Sequence, residues 1–145
     1  VCEFLRAWLA ERYDEIDLAG FSLEPAIPET PAFCMVDEWQ LRRALDNLLQ
    51  NAYKYGKEGG HICLRLKKTA DGAELSVTDD GIGIAPENLD KVWQRFWQAD
   101  ASRGEDGGSG LGLAMVKEIA QFHGGNARVE SRLGQGSTFT VFLPE

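Results

Sequence analysis

The apolar positions of this chain alternate between two spacings, and the switches between them mark out its elements. From Cys2 to Tyr13, Phe4, Leu5, Trp8 and Leu9 recur at helical spacing and predict a helix over 2–13. Phe21 to Ala26 alternates and predicts a short strand, with Pro25, Pro28 and Pro31 as punctuation. Ala32–Val36 predicts another. Asp37 reads as the N-cap of a helix that runs to about Tyr55, where Gly56 stops it. Its buried stripe is Leu41, Leu45, Leu48, Leu49 and Ala52. At about 100° per residue, Asn47, Asn51 and Lys54 fall together as a polar seam bordering that stripe.

Beyond the Gly59-Gly60 turn, His61–Lys68 alternates, Asp71-Gly72 turns, and Glu74–Asp79 alternates again, predicting a hairpin. Leu75 and Val77 face inward, and the same period of two points Asp79 inward. Pro86 opens a short helix expected to reach about Arg95. Residues 98–110 read as a polar, mobile loop. Leu111–His123 is helical, with Leu111, Met115, Val116, Ile119 and Phe122 apolar. Two closing strands follow, near Asn126–Arg132 and Ser137–Leu143, joined by a turn at Gly134–Gly136. There is no internal repeat and no linker, which predicts a single α+β domain over 1–145.

Composition narrows the function. The 145 residues carry 15 Lys+Arg against 23 Asp+Glu, a net charge of −8, which argues against broad nucleic-acid binding. Hydrophobic content of 43% excludes intrinsic disorder. No apolar run approaches the ~18 residues of a membrane span, so no direct membrane contact is expected. Cys2, Cys34 and Cys63 form no CxxC or Cys/His cluster, and reduced thiols in a cytoplasm are the plain reading. A chain that opens on Val1 reads as a piece of something longer. Glycine stands out: of sixteen, five lie in the nine residues from Gly104 to Gly112. Such clustering marks a backbone that needs unusual dihedrals or close approach to a ligand.

Three constellations could carry chemistry. Asn47 and Asn51 are poor mid-helix residues one turn apart, and an amide oxygen suits Mg2+ while Lys54 suits a phosphate. A solvated helix face is the plainer alternative. In Asp79-Asp80-Gly81-Ile82-Gly83-Ile84, an inward carboxylate is acceptor-only and selects a donor such as an exocyclic amine, though an Asp-Gly turn would look the same. Gly107-Gly108-Ser109-Gly110-Leu111-Gly112-Leu113 opens a helix, where free N–H groups bind anions. It is neither a Walker A motif nor a dinucleotide fingerprint. Arg95, Phe96 and Trp97 form an aromatic hinge or a satellite core. Neither His61 nor His123 looks like a nucleophile.

The order of these motifs resembles the ATP-binding catalytic domain of bacterial sensor histidine kinases, in the superfamily shared with gyrase, Hsp90 and MutL. The resemblance covers nearly the whole chain. It implies a Bergerat-type fold, a two-layer α/β sandwich with a mixed sheet of about five strands, three main helices on one face and a flexible lid over roughly Asn88–Gly108. The N box is Asp46–Tyr55, where the resemblance gives Asn51 to Mg2+ and Lys54 and Tyr55 to phosphate and nucleotide. The G1 box is Asp79–Gly83, with Asp79 accepting from the adenine amine and Gly81, Gly83 and Ile84 beside it. The F box is Val92–Trp97, with Phe96 packing the lid. The G2 box, Gly108, Ser109, Gly110, Leu111, Gly112 and Leu113, gathers the phosphates. The last Gly-rich element, Gly134–Thr138, adds Thr138. Where gyrase-like ATPases carry a water-activating Glu this chain has Asn47, which favours phosphoryl transfer to protein over hydrolysis. Gln98 stands where an Arg often follows the F-box aromatics, leaving Arg95 and Arg103 as the candidates for the γ-phosphate.

The implied cofactors are ATP and Mg2+. The implied partners are the dimerisation and phosphoacceptor domain of the same parent, whose acceptor histidine this chain lacks, and a response regulator. The parent is expected to be a homodimer anchored in the cell membrane, with this domain cytoplasmic. A serine kinase of the anti-sigma-factor type and a nucleotide-sensing module without transfer are the competing expectations.

Overall fold

The computed structural model describes residues 2–27, 34, 36–55, 60–94 and 112–144. The first helix, α1, spans Cys2–Leu18, five residues beyond the expected end. Tyr13 carries no stop signal, and Ile16, buried like Leu5 and Trp8, continues the apolar stripe by another turn. The helix closes where the Phe21 N–H reaches back to the Ile16 carbonyl. Strand β1 (Ser22–Ala26) leads to helix α2 (Glu38–Tyr55). Asp37 caps α2 as expected, its Oδ1 accepting from the backbone N–H groups of Trp39 and Gln40. The predicted strand over 32–36 is not formed at Cys34 or Val36, and its other residues lie outside the described ones.

Strands β2 (His61–Thr69) and β3 (Gly72–Asp79) make the expected hairpin. Helix α3 (Gly112–Phe122) precedes β4 (Asn126–Arg132) and β5 (Gly136–Pro144). The sheet order is β1-β2-β3-β5-β4. Only the β1–β2 pair is parallel, because α2 is the crossover between them; the other pairs are antiparallel. Among the described residues the fold is the expected α/β sandwich, with a mixed five-stranded sheet and three helices.

Alternation along the strands sends Ile62, Leu64, Leu66, Leu75, Val77, Phe139, Val141 and Leu143 into one core with Leu41, Leu45 and Leu48 of α2. Between Pro86 and Gln94 the structure departs from the expected helix. Only Pro86–Asn88 is helical, as a 3-10 turn, and further turns continue to Trp93. Leu89, Val92 and Trp93 keep a helical spacing here, yet the backbone runs in turns. Buried Val92 and half-buried Trp93, its ring edge-on to Phe139 at 5.9 Å, fasten its end instead.

Asp46 ties α1 to α2. It accepts from Trp8 Nε1 at 2.9 Å and from Arg12 Nε at 3.1 Å. Trp8 is 2% exposed, so its indole N–H would be orphaned without that acceptor. The Arg12 pair is open to solvent and adds little. Asp46→Ala is therefore expected to cost about 1–2 kcal/mol in urea unfolding, and Asp46→Asn, which keeps an acceptor for Trp8, less.

Candidate functional site

Asp79 ends β3 with 5% exposure, pointing inward as its strand period requires. Its carboxylate accepts from the Gly81 N–H at 2.9 Å and from the Ser137 N–H. Burial pushes its pKa up. Those two N–H groups pull it down, and neighbouring Asp80 pushes it up further. The result is a desolvated acceptor more easily protonated than an ordinary aspartate.

A polar row extends from Asp79 across three strands. Register pairs Asp79 with Ser137 on β5, and Ser137 with Ser131 on β4. Directly paired residues share a face of the sheet. The hydroxyls of Ser131 and Ser137 lie 2.8 Å apart. Asp79, Ser131 and Ser137 line a cavity of about 460 Å3, together with Leu89, Thr78 and Thr138.

Thr138, expected at the nucleotide, lines the cavity, but its side chain leaves the sheet on the other face from the Asp79 carboxylate. Its Oγ1 is 3.0 Å from Thr78 Oγ1, on the next rung of the ladder and hence the opposite face from the Asp79 carboxylate. Ser137 is the hydroxyl on Asp79's side. The period of two along β5, read back from Leu143, Val141 and Phe139, was the available signal that Ser137 points inward; that it stands beside Asp79, and Ser131 beside it, needed the strand pairing.

The closing hairpin and the loop after β3 pack backbone on backbone. Gly83 has φ +73, and a Cβ there would sit 2.1 Å from the Arg132 carbonyl oxygen. Gly136 has φ +104, and its Cβ would sit 2.1 Å from the Asp79 carbonyl oxygen. Glycine is required at both for space as well as for dihedral. The Ile84 N–H then reaches Ser131 Oγ at 2.8 Å, and Gly81 is buried.

Helix α2 is brought to the same end by the Ile82 N–H, which donates to the Tyr55 carbonyl at 3.0 Å. Asn47, Asn51, Lys54 and Tyr55 are half-buried there, the seam the spacing predicted. Among the described residues nothing hydrogen-bonds the Asn51 side chain. Lys54 Nζ lies 5.3 Å from the centre of the Tyr55 ring. Asn47 donates through Nδ2 to Met115 Sδ at 3.2 Å, and its Oδ1 faces Gly112, 3.4 Å from where a Cβ would stand. Gly112 and Leu113 open α3 beside this seam. Arg95, Phe96, Arg103, Gly108, Ser109, Gly110 and Leu111 lie outside the described residues, as does most of the expected lid. His61 is exposed at the start of β2. His123 accepts from the Asp37 N–H at 2.9 Å and joins the far ends of α2 and α3.

Residues 36–145 match the family model described as histidine kinase-, DNA gyrase B-, and HSP90-like ATPase. The chain belongs to this family. Within the family it has histidine kinases among its relatives. It is 46% identical over 110 residues to the circadian input-output histidine kinase CikA of Synechococcus elongatus, covering 75% of this chain and 15% of that protein. The structure is similar to that of the mycobacterial sensor histidine kinase MprB, with TM-score 0.80, 31% identity, and 97% and 93% of the two chains covered. It is also similar to full-length ShkA solved in complex with AMPPNP, with TM-score 0.82, 29% identity, and 99% and 30% covered. The chain spans less than a third of the length of the curated relatives it matches.

In this domain the Gly136 contact predicts a graded result. Gly134, in the same turn, has φ +82 but nothing within 4 Å of an added Cβ. Gly134→Ala should cost about 1–2 kcal/mol from dihedral strain alone. Gly136→Ala should cost clearly more, because the methyl meets the Asp79 backbone; denaturant unfolding of both variants checks the order.

Proposed function

We propose that this domain binds ATP with Mg2+ and transfers the γ-phosphoryl group to a histidine on the dimerisation and phosphoacceptor domain of a longer, homodimeric sensor kinase. The phosphoryl group then passes to an aspartate of a response regulator. The observation that carries the reading is the Asp79 carboxylate, buried beside the cavity with only backbone donors around it. Such a group accepts one further donor, and the adenine 6-amino group is one. The AMPPNP held by the ShkA relative supports the same ligand class.

The phosphate end follows from the α2 seam. Asn51, half-buried and with no side-chain partner among the described residues, fits a cation that takes few protein ligands and fills its shell with phosphate and water. It would hold Mg2+ through Oδ1. When bound, the ion neutralises phosphate charge. Lys54 would meet the phosphates, with Tyr55 against the nucleotide. Arg95 or Arg103 and the amides from Gly108 to Gly112 would complete the clamp, with Phe96 securing the lid. Asn47 cannot take a proton at neutral pH, so no side chain there activates water. The γ-phosphorus would then leave ADP for a histidine nitrogen, a step that needs positioning and charge neutralisation more than covalent help from the protein.

A cytoplasmic place for this domain and a membrane-anchored parent belong to the same reading. No described helix is long and apolar enough to cross a membrane.

Titration with AMPPNP and Mg2+ should give saturable heat, and its absence in folded protein would remove the proposal. Protonation removes the Asp79 charge and turns one of its oxygens into a donor, so adenine affinity should fall as pH drops through the raised pKa, above the usual carboxylate value of about 3.9. Stability of the free domain runs the other way. The fold favours the protonated acid, so this contribution is lost as pH rises through the raised value. Asp79→Asn should flatten both profiles. Asn51→Ala should abolish Mg2+-dependent transfer to the full-length parent's acceptor, read by radiolabel.

A further inference from the structure

Ser131 lies on β4, outside every motif that suggested a ligand, yet its hydroxyl is saturated. A serine hydroxyl has one proton and two lone pairs. Ser131 Oγ sits 2.8 Å from the Gly136 carbonyl oxygen, which can only accept, so the Ser131 proton goes there. One lone pair takes the Ile84 N–H at 2.8 Å. The other faces Ser137 Oγ at 2.8 Å, and with the Ser131 proton already placed, the proton in that bond must come from Ser137.

The direction of this chain has a consequence at the cavity wall. Ser137, with its own proton directed at Ser131, offers only lone pairs to anything beside it. It is paired in register with Asp79, whose carboxylate is acceptor-only when ionised. The wall therefore presents two acceptors and no side-chain donor from this row. We propose that Ser131 is a positioning residue that fixes the hydrogen-bond polarity of Ser137, and that the Asp79–Ser137–Ser131 row thereby selects a purine with an exocyclic amine and rejects one with a keto oxygen at the same position. The inference rests on the nucleotide-binding reading above and deepens it to base discrimination.

A keto oxygen at this wall would face lone pairs with no proton between them. Without the Ser131 hydroxyl, Ser137 could turn its proton toward the cavity and serve a keto group. A residue that only supported the fold would weaken every nucleotide equally when removed.

The test is calorimetric titration of the chain with ADP and with inosine diphosphate, which carries oxygen in place of the amine, both with Mg2+. Wild-type protein should prefer ADP. Ser131→Ala should lower that preference about tenfold, mainly through tighter binding of inosine diphosphate, while Ser131→Thr, which keeps the hydroxyl, should leave it unchanged. Ser131→Cys keeps the shape with a poorly bonding thiol, and it should also lower the preference if the alanine variant does not fold. Equal losses for both nucleotides, with the preference unchanged, would overturn the role of Ser131 and leave ATP binding intact. A wild type that binds both alike would overturn the discrimination while sparing the proposed function. A folded wild type that binds neither would bring down both.

Discussion

A carboxylate that is 5% exposed must be surrounded by donors or it would not stay charged, and Asp79 sets that requirement for the whole nucleotide end of the domain. The sheet meets it with two backbone N–H groups, from Gly81 and Ser137. Those groups come from segments far apart in sequence. They reach one carboxylate only because β5 pairs with β3 and because Gly136 lets the backbone come to within a side chain's exclusion distance of Asp79. Burial still wins over the two hydrogen bonds, and the acid is left easier to protonate than usual. That residual desolvation is what makes it a good partner for one more donor.

The helical layer solves a different problem with the same economy of residues. Helix α2 presents Leu41, Leu45, Leu48 and Leu49 to the core and keeps its asparagines on the border of that stripe. Asn47 is then fixed against α3 by Met115 and the bare Gly112, while Asn51 one turn later stays uncommitted among the described residues. Capping by Asp37 at one end and the Ile82–Tyr55 bond at the other hold the helix in register with the sheet. The seam thus inherits its position from the core beside it.

Much of this was legible in order of appearance. The strand boundaries of β4 came from its alternation, the reach of α2 from Asp37 and its leucine stripe, and the inward Asp79 from a period of two. Where the reading failed, the cause was local. The first helix ran on past Tyr13 because Ile16 continues its stripe, and after Pro86 the helical spacing of Leu89, Val92 and Trp93 did not make a helix, because Trp93 is held edge-on against Phe139 of the sheet.

The sequence alone determined the elements, the polar seam and the order of motifs that resembles a histidine kinase catalytic domain, because periodicity and turn chemistry act over a few residues. Tertiary structure alone decided that Ser137 stands beside Asp79, with Thr138 on the other face, and that Ser131 completes the row. Strand pairing sets those neighbours. It joins residues more than fifty positions apart, a choice made by the packing of the whole sheet against its helices and by no single stretch of chain.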